Sequence, residues 1–167
     1  MKGSNKLLSI YLADHLAGSV AGIELVRRAR SSNSANEIGS FLDELERDLQ
    51  DDKRSLEEII ERFGTRRDRL KMAAGWLAEK VGRLKLNGSL VGYSDLSRVV
   101  ELEGLRLGIS GKLGLWMVLK DGFGDDSRLS GIDFDRLIER ARDQLERVDK
   151  HRLAAARVAF DRPPQER

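Results

Sequence analysis

Glu101 to Lys120 reads ELEGLRLGISGKLGLWMVLK, in which large apolar residues recur at helical spacing and Gly104, Gly108, Gly111 and Gly114 sit among them. Each glycine costs a helix roughly 0.8 to 1 kcal/mol relative to alanine, so the four together forfeit about 3 to 4 kcal/mol. A helix that keeps them is expected to recover the loss where a bare backbone lets a neighbouring helix come close. The first 30 residues supply that neighbour, because Gly18 and Gly22 lie one turn apart there beside Ala13, Ala17 and Ala21. Two helices in close approach, one at the start of the chain and one beyond its middle, predict a helical bundle.

The remaining segments extend the bundle. From about Ser4 to Arg30, Leu7, Leu8, Ile10, Leu12, Leu16, Val20, Ile23 and Val26 place apolar groups on nearly every side, which predicts a largely buried helix. From about Ala35 to Phe63, Ile38, Leu42, Leu45, Leu49, Leu56, Ile59 and Phe63 follow a three-four spacing with Asp52 as the single polar intruder. Gly64 ends that segment. A shorter, basic helix follows from near Asp68 to the Asn87-Gly88 turn, and Ser94 or Asp95 caps the glycine-rich one. Asp133 is placed to cap a last helix, which stops before Pro163-Pro164. One domain over residues 4–160 with a flexible tail at 161–167 accounts for the pattern, and no alternation of strand type occurs.

Composition narrows the functional classes. The chain of 167 residues is long enough to bury a core without cross-links, and 40% hydrophobic against 35% charged content with 2 prolines fits a helix-rich globule. Zero cysteines exclude a disulfide scaffold, thiol catalysis and thiolate-held metals, and suit a reducing cytoplasm, the compartment expected here. The net charge of +2 arises from 30 basic and 28 acidic residues, which sets up no strong attraction to polyanions, so nucleic acid is not an expected partner. Lys2 and Lys6 before the apolar run from Leu7 imitate a signal peptide, but Asp14 and His15 interrupt the run and it reads as a first helix. With no stretch of about 20 uncharged apolar residues, no membrane span is expected.

Two long helices, a shorter one and two more long ones form the order of two helical hairpins joined by a crossover. With YLADHLAGSVAGIELVRRA in the first helix and RLKMAAGWLAEKVGRLKLNG in the third, the chain resembles the ferritin-like superfamily over about residues 4 to 160. The resemblance implies an all-α, four-helix bundle of long helices with a shorter crossover helix between helix 2 and helix 4, in a bacterial branch lacking the di-iron motifs. The structural alternative is an up-and-down bundle with a fifth helix packed outside.

Ferritin-like di-iron proteins place one Glu on each of two helices and a Glu-x-x-His on each of the other two. The only histidines here are His15 and His151, and Leu12 and Val148 stand three residues before them. What remains is three carboxylates at phases read as inward: Glu24, Asp52 and Glu103. Converging, they would hold a hard cation through oxygen ligands and make an oxidoreductase or metal-binding protein; otherwise they pair with arginines such as Arg28, Arg106 and Arg152. Pairing is the expectation, with no cofactor. His15 and His151 read as packing and surface residues, and no nucleophile accompanies them. The loop at Asp121, Asp125 and Asp126 departs from a calcium loop, with Phe123, Asp126 and Ile132 at its third, sixth and twelfth positions. Arg66, Arg67, Arg69 and Lys71 are the candidate polyanion contacts. The leading expectation is a non-catalytic structural or interaction module whose partner is another protein or a second copy.

Overall fold

The computed structural model describes residues 2–64 and 93–161. The expected basic helix, with Arg66, Arg67, Arg69 and Lys71, and residues 162–167 of the tail lie outside the described residues. Four long helices make up nearly all the rest: α1 Lys2–Ser32, α2 Glu37–Arg62, α3 Asp95–Phe123 and α4 Phe134–Ala159, with one 3-10 turn at Ser127–Leu129. No strand occurs among the described residues.

The ends of these helices follow from local chemistry. The Asn36 side chain accepts from the Gly39 amide to start α2, Ser94 and Ser97 form a reciprocal capping box on α3, and Asp133 accepts from the Arg136 amide at the head of α4. Gly64 closes α2 with φ +64°, a left-handed conformation that a side chain would oppose. Asp126 caps the 3-10 turn and grips Arg128.

Contacts between elements set the layout. α1 packs on α2, α3 packs on α4, α1 also lies along α3, and α2 touches α4 lightly, so α2 and α3 occupy one diagonal. Arg28, late in α1, binds Glu101, early in α3, at 3.0 Å, and His151 of α4 stacks on Phe41 of α2 with ring centroids 4.1 Å apart, so both of these neighbouring pairs run antiparallel. Phe63 and Phe123 meet edge to face at 5.5 Å where α2 and α3 end, whereas Asn33 Nδ2 donates to the Tyr93 hydroxyl at the opposite end. The order is therefore up, down, down, up. With α2 about 39 Å long at 1.5 Å per residue, Gly64 and Tyr93 stand at opposite ends of the bundle, and one long return connects them.

The core runs the length of the bundle through Leu12, Leu16 and Val26 of α1, Leu42, Leu45 and Ile59 of α2, Leu102, Ile109 and Trp116 of α3, and Ala141 and Val148 of α4. α1 is less buried than its composition predicts, since Leu7 and Ile10 near its start are exposed. The expected glycine-mediated approach of α1 and α3 is confined to one place. A Cβ on Gly104 would lie 2.9 Å from Leu25 Cδ2, but one on Gly18, Gly22, Gly108, Gly111 or Gly114 would meet nothing within 4 Å among the described residues. The tightest glycine is Gly39, unremarked in sequence, whose Cβ position is 2.2 Å from the Asn33 carbonyl oxygen where the α1–α2 turn folds back.

Candidate functional site

The polar residues that matter sit at apolar phases. On α2, Asp52 continues the stripe of Leu45, Leu49 and Leu56; on α3, Lys112 falls between Ile109 and Leu115; on α4, Gln144 falls between Ala141 and Val148. Helical periodicity turns all three into the centre of the bundle, where Asp52 is 3% and Gln144 0% exposed. Gln144 Nε2 donates to Asp52 Oδ2 at 2.9 Å. Lys112 Nζ donates to the same oxygen and to Gln144 Oε1, and Arg140 Nη2, one turn before Gln144, donates to Asp52 Oδ1. One buried carboxylate thus accepts three donors and serves two cations, Lys112 across the α2–α3 diagonal and Arg140 on the neighbouring α4.

A cluster so placed is stable only because its members bond to one another. An unpaired charge at this depth would be prohibitive, while mutual hydrogen bonds offset much of the desolvation. Burial pushes the Lys112 ammonium below its ordinary range, with the Asp52 carboxylate opposing that shift and the Arg140 guanidinium adding to it.

Beside the cluster lies a cavity of about 100 Å3 between α1, α2 and α3. Gly18, Gly22 and Gly108 border it, Leu105 and Trp116 supply apolar wall, and His15, Lys53, Asp52 and Lys112 add polar groups. The glycines that were expected to bring two helices together instead leave this space open. His15 stands half-buried, its ring edge-on to Tyr11 at 4.6 Å, and burial holds its pKa below 6.5 against the opposing charge of Asp14. The Trp116 indole is fully buried, and its Nε1 has no hydrogen-bond partner among the described residues.

The three carboxylates read as inward do not share this centre. Asp52 is buried as expected, but Glu24 and Glu103 are exposed, so their inward assignment is corrected. Glu24 pairs with Arg27 at 3.0 Å and Glu103 with Arg152 at 3.7 Å. Among the described residues no group of three His, Asp or Glu side chains is placed to hold a metal. Arginine pairing holds as a principle with different partners: Arg28 binds Glu101 rather than Glu24, and Arg106 binds Asp149 at 2.9 Å rather than Glu103. Two of these pairs involve buried acids missed in sequence, Glu46 against Arg27 and Glu101 against Arg28 and the Tyr93 hydroxyl. His151, read as a surface residue, stacks on Phe41 and is half-buried, which also lowers its pKa.

Ion pairs therefore pin every neighbouring helix interface: Arg27–Glu46 joins α1 to α2, Arg28–Glu101 joins α1 to α3, Arg106–Asp149 joins α3 to α4, and Arg147–Asp48 joins α2 to α4. Lys112, Arg140 and Gln144 escaped sequence reasoning, although a polar residue in the apolar stripe of α3 and another in that of α4 carried the same signal as Asp52. No helix among the described residues is long and apolar enough to cross a membrane. Comparison of the chain with family models, with curated proteins and with solved structures finds no match.

Proposed function

We propose that this chain is a non-catalytic, ferritin-like bundle of the cytoplasm that serves as a structural or protein-interaction module. The observation that carries the reading is the state of Asp52. In di-iron bundles the inward carboxylates of facing helices are free to ligate, whereas both Asp52 oxygens here accept from Lys112, Arg140 and Gln144. A metal would have to displace two internal cations, with Gln144 Oε1 the only other oxygen in the cluster. The up, down, down, up order with a single long return supports the ferritin-like part of the proposal.

The interaction part draws on the outer side of α3. Leu96, Val100, Leu107 and Val118 are each more than half exposed and, at successive steps of four, seven and eleven residues, fall on one face. The metal question decides between scaffold and metalloprotein. Tag-free protein incubated anaerobically with Fe(II) or Mn(II), then dialysed, should retain no stoichiometric metal by elemental analysis. Retention of one equivalent or more per chain, lost in Asp52→Asn, would overturn the reading in favour of the carboxylate metal site.

A further inference from the structure

We propose that the cavity between α1, α2 and α3 is a binding site for a short-chain monocarboxylate, with the acyl part against Leu105 and Trp116 and the carboxylate at Lys112. Three independent features converge on this class of ligand.

The first is charge. Within the central cluster one carboxylate, Asp52, faces two cations, Lys112 and Arg140, so the cluster keeps a surplus positive charge at the polar end of the cavity. Of the other charges nearby, Lys53 is paired with Glu57 at 2.5 Å, and Asp48 shares Arg147 with Asp143. An anion entering beside Lys112 completes the pairing in a medium where pairing is strong.

The second is donor capacity. An ammonium has three donors, and Lys112 spends two of them on Asp52 and Gln144. His15 brings an imidazole to the same cavity. The acceptors of the cluster are occupied while donors remain, which selects a ligand that accepts.

The third is size and the way it is kept. A cavity near 150 Å3 holds benzene, so about 100 Å3 takes a molecule of roughly four or five non-hydrogen atoms, the size of acetate or propionate. Gly18, Gly22 and Gly108 border this space, and a methyl at any of them would meet no atom of the described residues within 4 Å. Alanine at these positions would improve the helices and fill the cavity, so the glycines hold space open at the expense of helix stability.

The test uses the full chain and sodium propionate at constant ionic strength, with the Trp116 indole resonance followed in a 1H–15N spectrum of a Trp76→Phe background. Propionate is expected to shift that resonance saturably, with sodium chloride giving no comparable shift. In Gly22→Ala/Gly108→Ala the shift should weaken at least tenfold while the protein melts no lower than the parent. Lys112→Met should abolish it. The absence of a saturable shift in the parent, a shift undiminished in the folded glycine variant, or equally tight binding of the neutral propionamide would each overturn the proposal. None of these outcomes depends on whether the bundle retains metal, so the scaffold reading stands or falls separately.

Discussion

Removing Asp52 is the perturbation whose size the structure fixes best. Asp52→Ala leaves Lys112 and Arg140 facing each other without their shared carboxylate and strips Gln144 Nε2 of its acceptor. Breaking a buried ion pair by deleting one partner typically costs about 3–5 kcal/mol. The two cations retain 14% and 25% side-chain exposure, so water reaches them in part and the lower end applies, about 3 kcal/mol. With a urea dependence of about 2 kcal/mol per molar for a chain of this size, the unfolding midpoint followed by circular dichroism should fall by about 1.5 M. The same reasoning gives the opposite result for wholesale replacement. Asp52→Leu/Lys112→Met/Arg140→Met/Gln144→Leu removes every member, leaves no orphaned charge, and should match or exceed the parent in stability. A midpoint shift below about 0.3 M for Asp52→Ala, or a fourfold variant as damaged as the single one, would refute the argument that the members of the cluster depend on one another.

Other consequences are local. Gly18→Ala, Gly22→Ala and Gly108→Ala should each raise stability by up to about 1 kcal/mol in the same urea assay, because their new methyls meet nothing, whereas Gly39→Ala should lower it, since its methyl would press on the Asn33 carbonyl. His15 and His151 are both held below 6.5 by burial, so the folded state favours the neutral rings; this stability is complete above pH 6.5 and is lost as pH falls through the lowered values. Urea midpoints should accordingly fall between pH 7.5 and 5.5, and less so in His15→Gln and His151→Gln. The hydrogen bonds from Arg128, side chain first and backbone second, hold the Asp126 carboxyl to about 2. A carbonyl 13C titration should find that midpoint, and Arg128→Gln should return it toward 3.8.

Much of the frame was legible before any coordinates, and the reasons differ by element. α2 and α4 have one apolar stripe each, so their burial and the inward turn of Asp52 followed from periodicity, and Asn36, Ser94 and Asp133 cap where short polar side chains precede apolar runs. α1 and α3 are apolar on more than one side, and there phase alone chose wrongly. Glu103 shares its helical phase with Leu96 and Leu107, which form the exposed outer stripe of α3, at 52% and 71% exposure. Glu24 follows the buried Ile23 but points to the rim, where Arg27 holds it. The glycines misled for a related reason. Sequence shows that a side chain is missing, not whether a helix or a void takes its place, and among the described glycines of α1 and α3 with this reading only Gly104 touches the facing helix. Lys112, Arg140 and Gln144 were readable as stripe residues, but which carboxylate they meet depends on α2 and α3 lying diagonally, a property of the connection and not of any one helix.

That diagonal, with α2 and α3 running the same way, is the claim on which the cluster, the cavity and both proposals rest. Because the chain has no cysteine, two spin labels can be placed without interference, on exposed Ser40 with exposed Leu96 in one sample and on Ser40 with exposed Lys120 in another. Leu96 and Lys120 are separated by about 36 Å of helix, so the two distances cannot be confused. Pulsed dipolar spectroscopy should give the shorter distance for Ser40 with Leu96, as parallel helices require. A shorter distance for Ser40 with Lys120 would mean an up-and-down bundle and would contradict the account.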